Sequence, residues 1–227
     1  MNNCVIELRD VSKHYLSGNV IALDKISLSI SRGSLTAICG KSGCGKTTLL
    51  NVMGGLDLPT SGKVVVLGKD ITNMPESSLS DYRATHIGFV FQFFNLIPEL
   101  TAKENILFPL AIRKKQIDIH SINKIIDLLQ ISDTLDRLPA QLSGGQQQRI
   151  AIARSIVGSP DILLMDEPTG NLDEENANII KQLIRKLCTE LGITIFFVTH
   201  DQDMAHIADQ IVTLKDGHIE SIKGVSS

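Results

Sequence analysis

No apolar run in this chain of 227 residues approaches the ~18 residues that a membrane-spanning helix requires. The longest, such as Ile162–Met165 and Ile193–Val198, suit short buried strands. Met1–Asp10 has no basic flank leading into an apolar core, so no signal peptide is expected. Cysteine is sparse. Cys4, Cys39, Cys44 and Cys188 form no CxxC pair and no zinc-type spacing, so free thiols in a reducing compartment are expected. The six histidines, His14, His86, His120, His200, His206 and His218, offer no metal-ligand grouping. An excess of one charge is also missing. Lys and Arg number 22 against 25 Asp and Glu, a net charge of −3, so no global basic field draws the chain onto nucleic acid. No internal repeat, low-complexity tract or Pro/Gly/Ser linker divides it, and one domain over 1–227 is expected. What is there, 43% hydrophobic and 21% charged residues, belongs to a globular protein with a sizeable core and excludes collagen-like, disordered and disulfide-scaffold classes. Taken alone, the chain is expected neither to cross a membrane nor to leave the cytoplasm.

Short apolar runs alternate with longer amphipathic ones, the pattern of an α/β protein with parallel strands. Leu35–Cys39, Ile87–Phe91, Ile162–Met165 and Ile193–Thr199 are apolar without strict alternation, as strands covered on both faces should be. A polar element follows each: Gly40–Thr47, Gln92, Asp166-Glu167 and His200. Ligands bind at the carboxyl ends of strands in open α/β sheets, so these four elements should converge on one crevice. Cys4–Leu8, Ile26–Ile30 and Gly62–Leu67 suggest an antiparallel sheet beside the main one. From Thr101 to Leu138 the chain reads as helices, with Ile119, Ile122, Ile125, Ile126 and Leu129 at three- and four-residue steps. The basic triplet Arg113-Lys114-Lys115 within that part reads as a solvated face or turn.

Gly40-Lys41-Ser42-Gly43-Cys44-Gly45-Lys46-Thr47 fits G-x-x-x-x-G-K-[ST] between a predicted strand and a predicted helix. The glycines let backbone N–H groups turn inward around phosphate oxygens. Lys46 would reach the β- and γ-phosphates, and the Thr47 hydroxyl would bind Mg²⁺. The helix Lys46–Met53, stopped by Gly54-Gly55 and carrying Thr48 in its first turn, would add its N-terminal dipole. Asp166 would hold Mg²⁺ directly or through water. Glu167 is the general-base candidate for the water that attacks the γ-phosphate.

Leu142-Ser143-Gly144-Gly145-Gln146 opens a helix running to about Val157, with a Ser143/Gln146 capping box and a stop at Gly158 and Pro160. Two glycines in a first helical turn are unfavourable and predict a close approach by another group. A helix start is also an anion site, so the chain carries two candidate phosphate binders about a hundred residues apart.

The phosphate loop, Gln92, Leu142–Gln146, Ile162–Glu167, Asn171-Leu172-Asp173 and His200 occur in the order that resembles ATP-binding cassette (ABC) ATPases, from Ile6 to about Glu220. The resemblance implies a P-loop NTPase (RecA-like) α/β fold with a mostly parallel sheet, an antiparallel β subdomain and an inserted helical subdomain. Residues 1–92 and 154–227 would form the nucleotide-binding core, and 93–153 the helical part. It implies two cassettes head to tail, each ATP lying between one phosphate loop (Gly40–Thr47, with Thr48) and the other copy's Ser143–Gln146. Gln92 would sense Mg²⁺ and the attacking water. His200 would touch the γ-phosphate, Asp173 would carry signals across the dimer, and Tyr15 would stack on adenine.

Gly55–Gly62, Phe91–Pro98 and Gln141–Arg149 narrow the resemblance to the lipoprotein-release and macrolide-efflux branch, which includes antimicrobial-peptide export and resistance cassettes. The expected partners are a second copy of this chain and an FtsX/MacB-like integral membrane permease docking near Gln92–Pro98, at the cytoplasmic face of a bacterial-type membrane. A lipoprotein, peptide or drug would be the cargo. Phe93, Phe94 and Ile97 equally fit packing of the helical part. Two rivals are a cell-division-type cassette that regulates cell-wall hydrolases without transport and a cassette acting in DNA repair or on ribosomes. Cys44 stands where Ser is commoner and Asn171 where Ser or Ala is common. The Cys44 thiol is expected beside the nucleotide, so that a thiol reagent inhibits and ATP protects.

Overall fold

The structure, a computed structural model, describes residues 4–16, 18–113 and 118–225. Among them the elements run β1 (Cys4–Tyr15), β2 (Val20–Ser31), β3 (Leu35–Cys39), α1 (Lys46–Met53), β4 (Ser61–Val66), β5 (Lys69–Asp70), α2 (Glu76–His86) and β6 (Ile87–Val90). There follow α3 (Ala102–Ile112), α4 (Ile119–Leu129), α5 (Gly144–Ile156), β7 (Ile162–Asp166), α6 (Glu174–Leu191), β8 (Thr194–Thr199), α7 (Gln202–Ala205), β9 (Gln210–Lys215) and β10 (His218–Gly224). A six-stranded sheet has the order β10-β9-β3-β8-β7-β6 and is parallel except at β9–β10. A four-stranded antiparallel sheet has the order β2-β1-β4-β5.

The absence of alternation in the apolar runs has its cause in two covered faces. On one face Ala37, Leu163, Met165, Ile195 and Phe197 pack with residues of α3 to α7. On the other, Ile38, Leu164, Phe196 and Val198 pack with α1 and the antiparallel sheet. Strands buried on both sides take apolar residues at every position.

The antiparallel strands are longer than their alternating runs. Register shifts interrupt the β1–β2 ladder, one between Leu8 and Val11, and Asp10 and Lys25 adopt φ of 49°. Such bulges break a two-residue period while pairing continues. Conversely, the run read to Phe91 ends as a strand at Val90. Periodicity alone does not mark the β9–β10 hairpin, although Asp216 (φ 47°) and Gly217 (φ 79°) form the turn that an Asp-Gly pair favours. In α4, Ile122, Ile125, Ile126 and Leu129 are buried but Ile119 is 67% exposed, because it is the first helical residue and overhangs the packed face. Arg113 lies in a turn, as one of the two readings has it, but it is not simply solvated: its guanidinium binds the Ala84 carbonyl and the Thr85 hydroxyl at the end of α2. Lys114 and Lys115 lie outside the described residues. Among the described residues no helix is long and apolar enough to cross a membrane.

Candidate active site

The phosphate loop and the residues after β6, β7 and β8 meet in one cleft of about 590 Å³. Ser42, Gly43, Gly45, Lys46, Thr47 and Thr48 line it together with Gln92, Asp166, Glu167 and His200. The β1–β2 hairpin adds Tyr15, Val20 and Ala22. The convergence predicted from strand ends is therefore present.

The loop closes around its own lysine. Lys46 Nζ donates to the carbonyl oxygens of Gly40 at 2.9 Å and Lys41 at 3.1 Å, and the Cys44 N–H donates to Lys41 O at 3.3 Å. Gly45 caps α1 with φ of 104°, and a Cβ there would overlap the Ala22 carbonyl of β2. Both the turn and the close approach require glycine. The first N–H groups of α1 have no intrahelical partner, which is the arrangement that binds anions.

Cys44 departs from expectation. It is 6% exposed, packs into the core face that α1 shares with the antiparallel sheet, and is absent from the cleft lining. Its Sγ would lie 2.6 Å from a Cβ built on Gly40, so the thiol is folded under the loop. Gly40 and Lys41 also stay out of the lining and serve through the carbonyls that hold Lys46.

Burial pushes the Asp166 carboxyl above its usual range. The Glu167 charge adds to that, and the Thr47 hydrogen bond and Lys46 charge only partly offset it. Glu167 sits at φ of 46°, a strained value for a non-glycine residue. Its N–H donates to Val198 O at 3.0 Å and its carbonyl accepts the Gly170 N–H at 3.1 Å, which pins both sides of the turn. The Glu167 side chain is 13% exposed and its Oε1 lies 2.9 Å from His200 Nδ1. Beside it, Asn171 Nδ2 donates to the Gln92 carbonyl at 2.7 Å.

Magnesium takes hard oxygen ligands, one or two carboxylates supplemented by phosphate oxygens. The Thr47 hydroxyl, the Asp166 carboxylate and the Gln92 amide oxygen are such donors on one cleft. A cation would also favour the ionised form that burial of Asp166 disfavours. One carboxylate with a hydroxyl and an amide oxygen is a partial shell that phosphate oxygens could complete.

Ser143–Gln146 and Asp173 do not line this cleft. Ser143 caps α5: its Oγ accepts the Gln146 N–H at 3.3 Å, and Gln146 Oε1 accepts the Ser143 N–H at 3.0 Å. The close approach predicted by the two glycines is resolved within the chain for Gly145, where a Cβ would overlap the Asn176 side-chain oxygen. Asp173 caps α6 and holds Asn176 Nδ2 at 3.0 and 2.9 Å. Gly144 meets only ordinary contacts, with Leu172 Cδ2 at 3.5 Å. Sequence reasoning missed Val20 and Ala22 of the cleft wall, the Asn171 clamp on Gln92, and Gln148, whose buried Nε2 donates to Pro168 O at 2.7 Å just after Glu167. None of these carries a local signal: Asn171 and Gln148 act through distant partners, and Val20 and Ala22 matter only because the hairpin lies against the cleft.

A family model described as ABC transporter matches residues 23–170. The lipoprotein-releasing system ATP-binding protein LolD of Francisella tularensis subsp. holarctica (strain OSU18) is 41% identical over 227 residues, covering 98% of each chain. The macrolide export ATP-binding/permease protein MacB of Rhodopirellula baltica is 43% identical over 219 residues, which is 94% of this chain and 32% of that protein. The dimeric structure of MJ0796, a bacterial ABC transporter cassette, superimposes with a TM-score of 0.89 at 39% identity, over 98% of this chain and 99% of the other. With its phosphate loop, strand-end carboxylates and capped signature helix in this arrangement, the chain belongs to the ATP-binding subunits of ABC transporters.

Proposed function

We propose that this chain closes head to tail with a second copy of itself over two ATP molecules and reopens after hydrolysis. It thereby drives an integral membrane permease of the lipoprotein-release or macrolide-efflux kind, at the cytoplasmic face of a bacterial-type membrane. One observation carries this reading. Lys46, Thr47, Gln92, Asp166, Glu167 and His200 share a cleft from which Ser143–Gln146 is excluded, so the second phosphate binder is free to serve another copy. The likeness to a dimeric cassette supports the pairing, and the likeness to LolD and MacB supports the branch.

In this reading Lys46 and the N–H groups of the loop Gly40–Thr47 and of Thr48 bind the β- and γ-phosphates. Thr47, Asp166 and Gln92 would hold Mg²⁺, which when bound neutralises charge on the phosphate oxygens. Glu167 accepts the proton of the attacking water, and His200 holds the carboxylate while reaching the γ-phosphate. Tyr15 stacks on adenine. Across the interface Ser143, Gly144, Gly145 and Gln146 meet the other copy's γ-phosphate, and Asp173 relays its state. Residues 1–92 and 154–227 act as the nucleotide-binding core, with 93–153 as the helical part.

The permease reading rests on the stretch Gln92–Pro98. Phe93 is 73% exposed, and a second cleft of about 520 Å³ is lined by Phe89, Phe91, Ile97, Phe108 and Ile112. Arg154 of α5 holds this stretch by donating to Phe94 O at 2.8 Å and Asn95 O at 2.6 Å. A helix carrying a few apolar side chains fits such a groove.

Complementation tests the composite site. Lys46→Ala and Ser143→Arg variants are each expected to lack ATPase activity. Mixed, they form heterodimers with one intact loop facing one intact signature, and activity returns. A mixture as inactive as its components overturns the head-to-tail site.

A further inference from the structure

Tyr15 stands at the rim of the cleft, and its hydroxyl is not free. It donates to Asp57 Oδ2 at 2.8 Å, reaching a residue on the turn after α1. Lys13 Nζ donates to Asp57 Oδ1 at 2.6 Å and to Leu58 O at 2.8 Å, and lies over the Tyr15 ring, 5.0 Å from its centroid. The turn is fixed at both ends. The N–H groups of Leu56 and Asp57 donate to Asn51 O in α1 at 2.8 and 3.3 Å. The Thr60 N–H donates to Ser12 O at 2.8 Å, and the His14 N–H reaches Thr60 Oγ1 at 3.0 Å.

These contacts differ from an ordinary surface ion pair. The Lys13 side chain is 13% exposed and that of Asp57 30%. Burial alone would raise the Asp57 carboxyl, but hydrogen bonds from Lys13 and Tyr15 outweigh it and hold the carboxyl below its usual range. Burial and the Asp57 carboxylate push the phenol up and outweigh the opposing Thr48 hydrogen bond and Lys13 charge, so Tyr15 remains a donor. A ring held at its hydroxyl and covered by a cation on one face can offer a base only the other face.

We infer that Asp57, together with Lys13, is a positioning residue that locks the Tyr15 ring as a platform for a purine base and couples that platform to α1. The first turn of α1 carries Lys46, Thr47 and Thr48. Base recognition and phosphate binding are thus set by the two ends of one helix. Preorganisation of this kind raises affinity by reducing the ordering that binding would otherwise require. The inference rests on the reading of Tyr15 as the base platform.

Steady-state ATPase kinetics with ATP and UTP, and competition by inorganic tripolyphosphate, test it. Asp57→Asn is expected to raise the ATP KM about five- to tenfold, the scale of one ordinary hydrogen bond. It should leave kcat unchanged, narrow the preference for ATP over UTP, and leave inhibition by tripolyphosphate as it was. Tyr15→Phe, which deletes only the hydroxyl, should raise the ATP KM by a similar factor and add nothing further to the KM of Asp57→Asn. An unchanged ATP KM in both variants, or tripolyphosphate affinity falling in parallel with ATP affinity, overturns the inference. Tyr15→Ala separates the two claims. If it leaves the ATP KM alone, the platform reading itself fails; if it raises KM while Asp57→Asn does not, only the positioning role fails.

Discussion

His200 Nδ1 lies 2.9 Å from Glu167 Oε1, although 33 residues separate the two in the chain. The His200 N–H also faces Glu167 Oε2, at 3.4 Å. The carboxylate is shielded at 13% exposure and the imidazole open at 68%, so the pair presents a shielded acceptor beside an accessible ring. Glu167→Gln is expected to lower kcat by about 10²–10⁴, the usual contribution of a general base. It should still bind ATP and accumulate as a closed dimer in size-exclusion chromatography. His200→Ala in the same background should slow hydrolysis little further, because the two act as a unit. Normal turnover by Glu167→Gln would remove the base assignment.

Asp166 links stability to pH. Its carboxyl is raised by burial, so the folded protein keeps a proton there at pH values where the unfolded chain has lost it. Stability therefore falls as pH rises from the ordinary carboxylate range through the raised value. Asp166→Asn removes that ionisation. The nucleotide-free variant should melt above the parent at neutral pH, the gap closing at acid pH, while losing Mg²⁺-dependent hydrolysis. Equal melting temperatures at neutral and acid pH would contradict the burial effect.

Gly145 and Asn176 form a contact that admits no side chain on the glycine. Gly145→Ala is expected to destabilise the protein by about 1–3 kcal/mol through overpacking. Adding Asn176→Ala should restore most of the loss, since the Asp173 carboxylate still caps the Asn176 N–H at 2.8 Å. Urea unfolding of the two variants measures this, and independent, additive effects would show the contact to be relaxed.

The four thiols should react unequally. Cys39, Cys44 and Cys188 are buried and Cys4 is partly accessible. A disulfide reagent is expected to find about one fast thiol in the native protein and all four after denaturation. Rapid labelling of Cys44, with protection by ATP, would return the thiol to the nucleotide side of the loop.

The chemistry of the site was legible because its parts are contiguous. Gly40–Thr47, Asp166-Glu167 and Ser143–Gln146 each hold their residue types at fixed spacing, with a strand before or a helix after them. The extents of β1 and β2 were less legible, since bulges at Asp10 and Lys25 erase the alternating period without ending the pairing. Arg113 does lie in a turn, but nothing near it in sequence announces the carbonyl of Ala84 that its guanidinium reaches.

By itself the sequence determined which groups are available: a loop that can wrap phosphate, carboxylates at the end of a buried strand, and a capped helix start for a second anion. Only the tertiary structure decided which way each side chain turns and what it meets. It folded Cys44 under its loop, set Asn176 against Gly145, and brought Asn171 to the Gln92 carbonyl and Asp57 to the Tyr15 hydroxyl. Local pattern follows the repeat of a helix or strand. Contacts between segments 42 or 79 residues apart depend on how a whole sheet and its covering helices pack, and no short window of sequence contains that geometry.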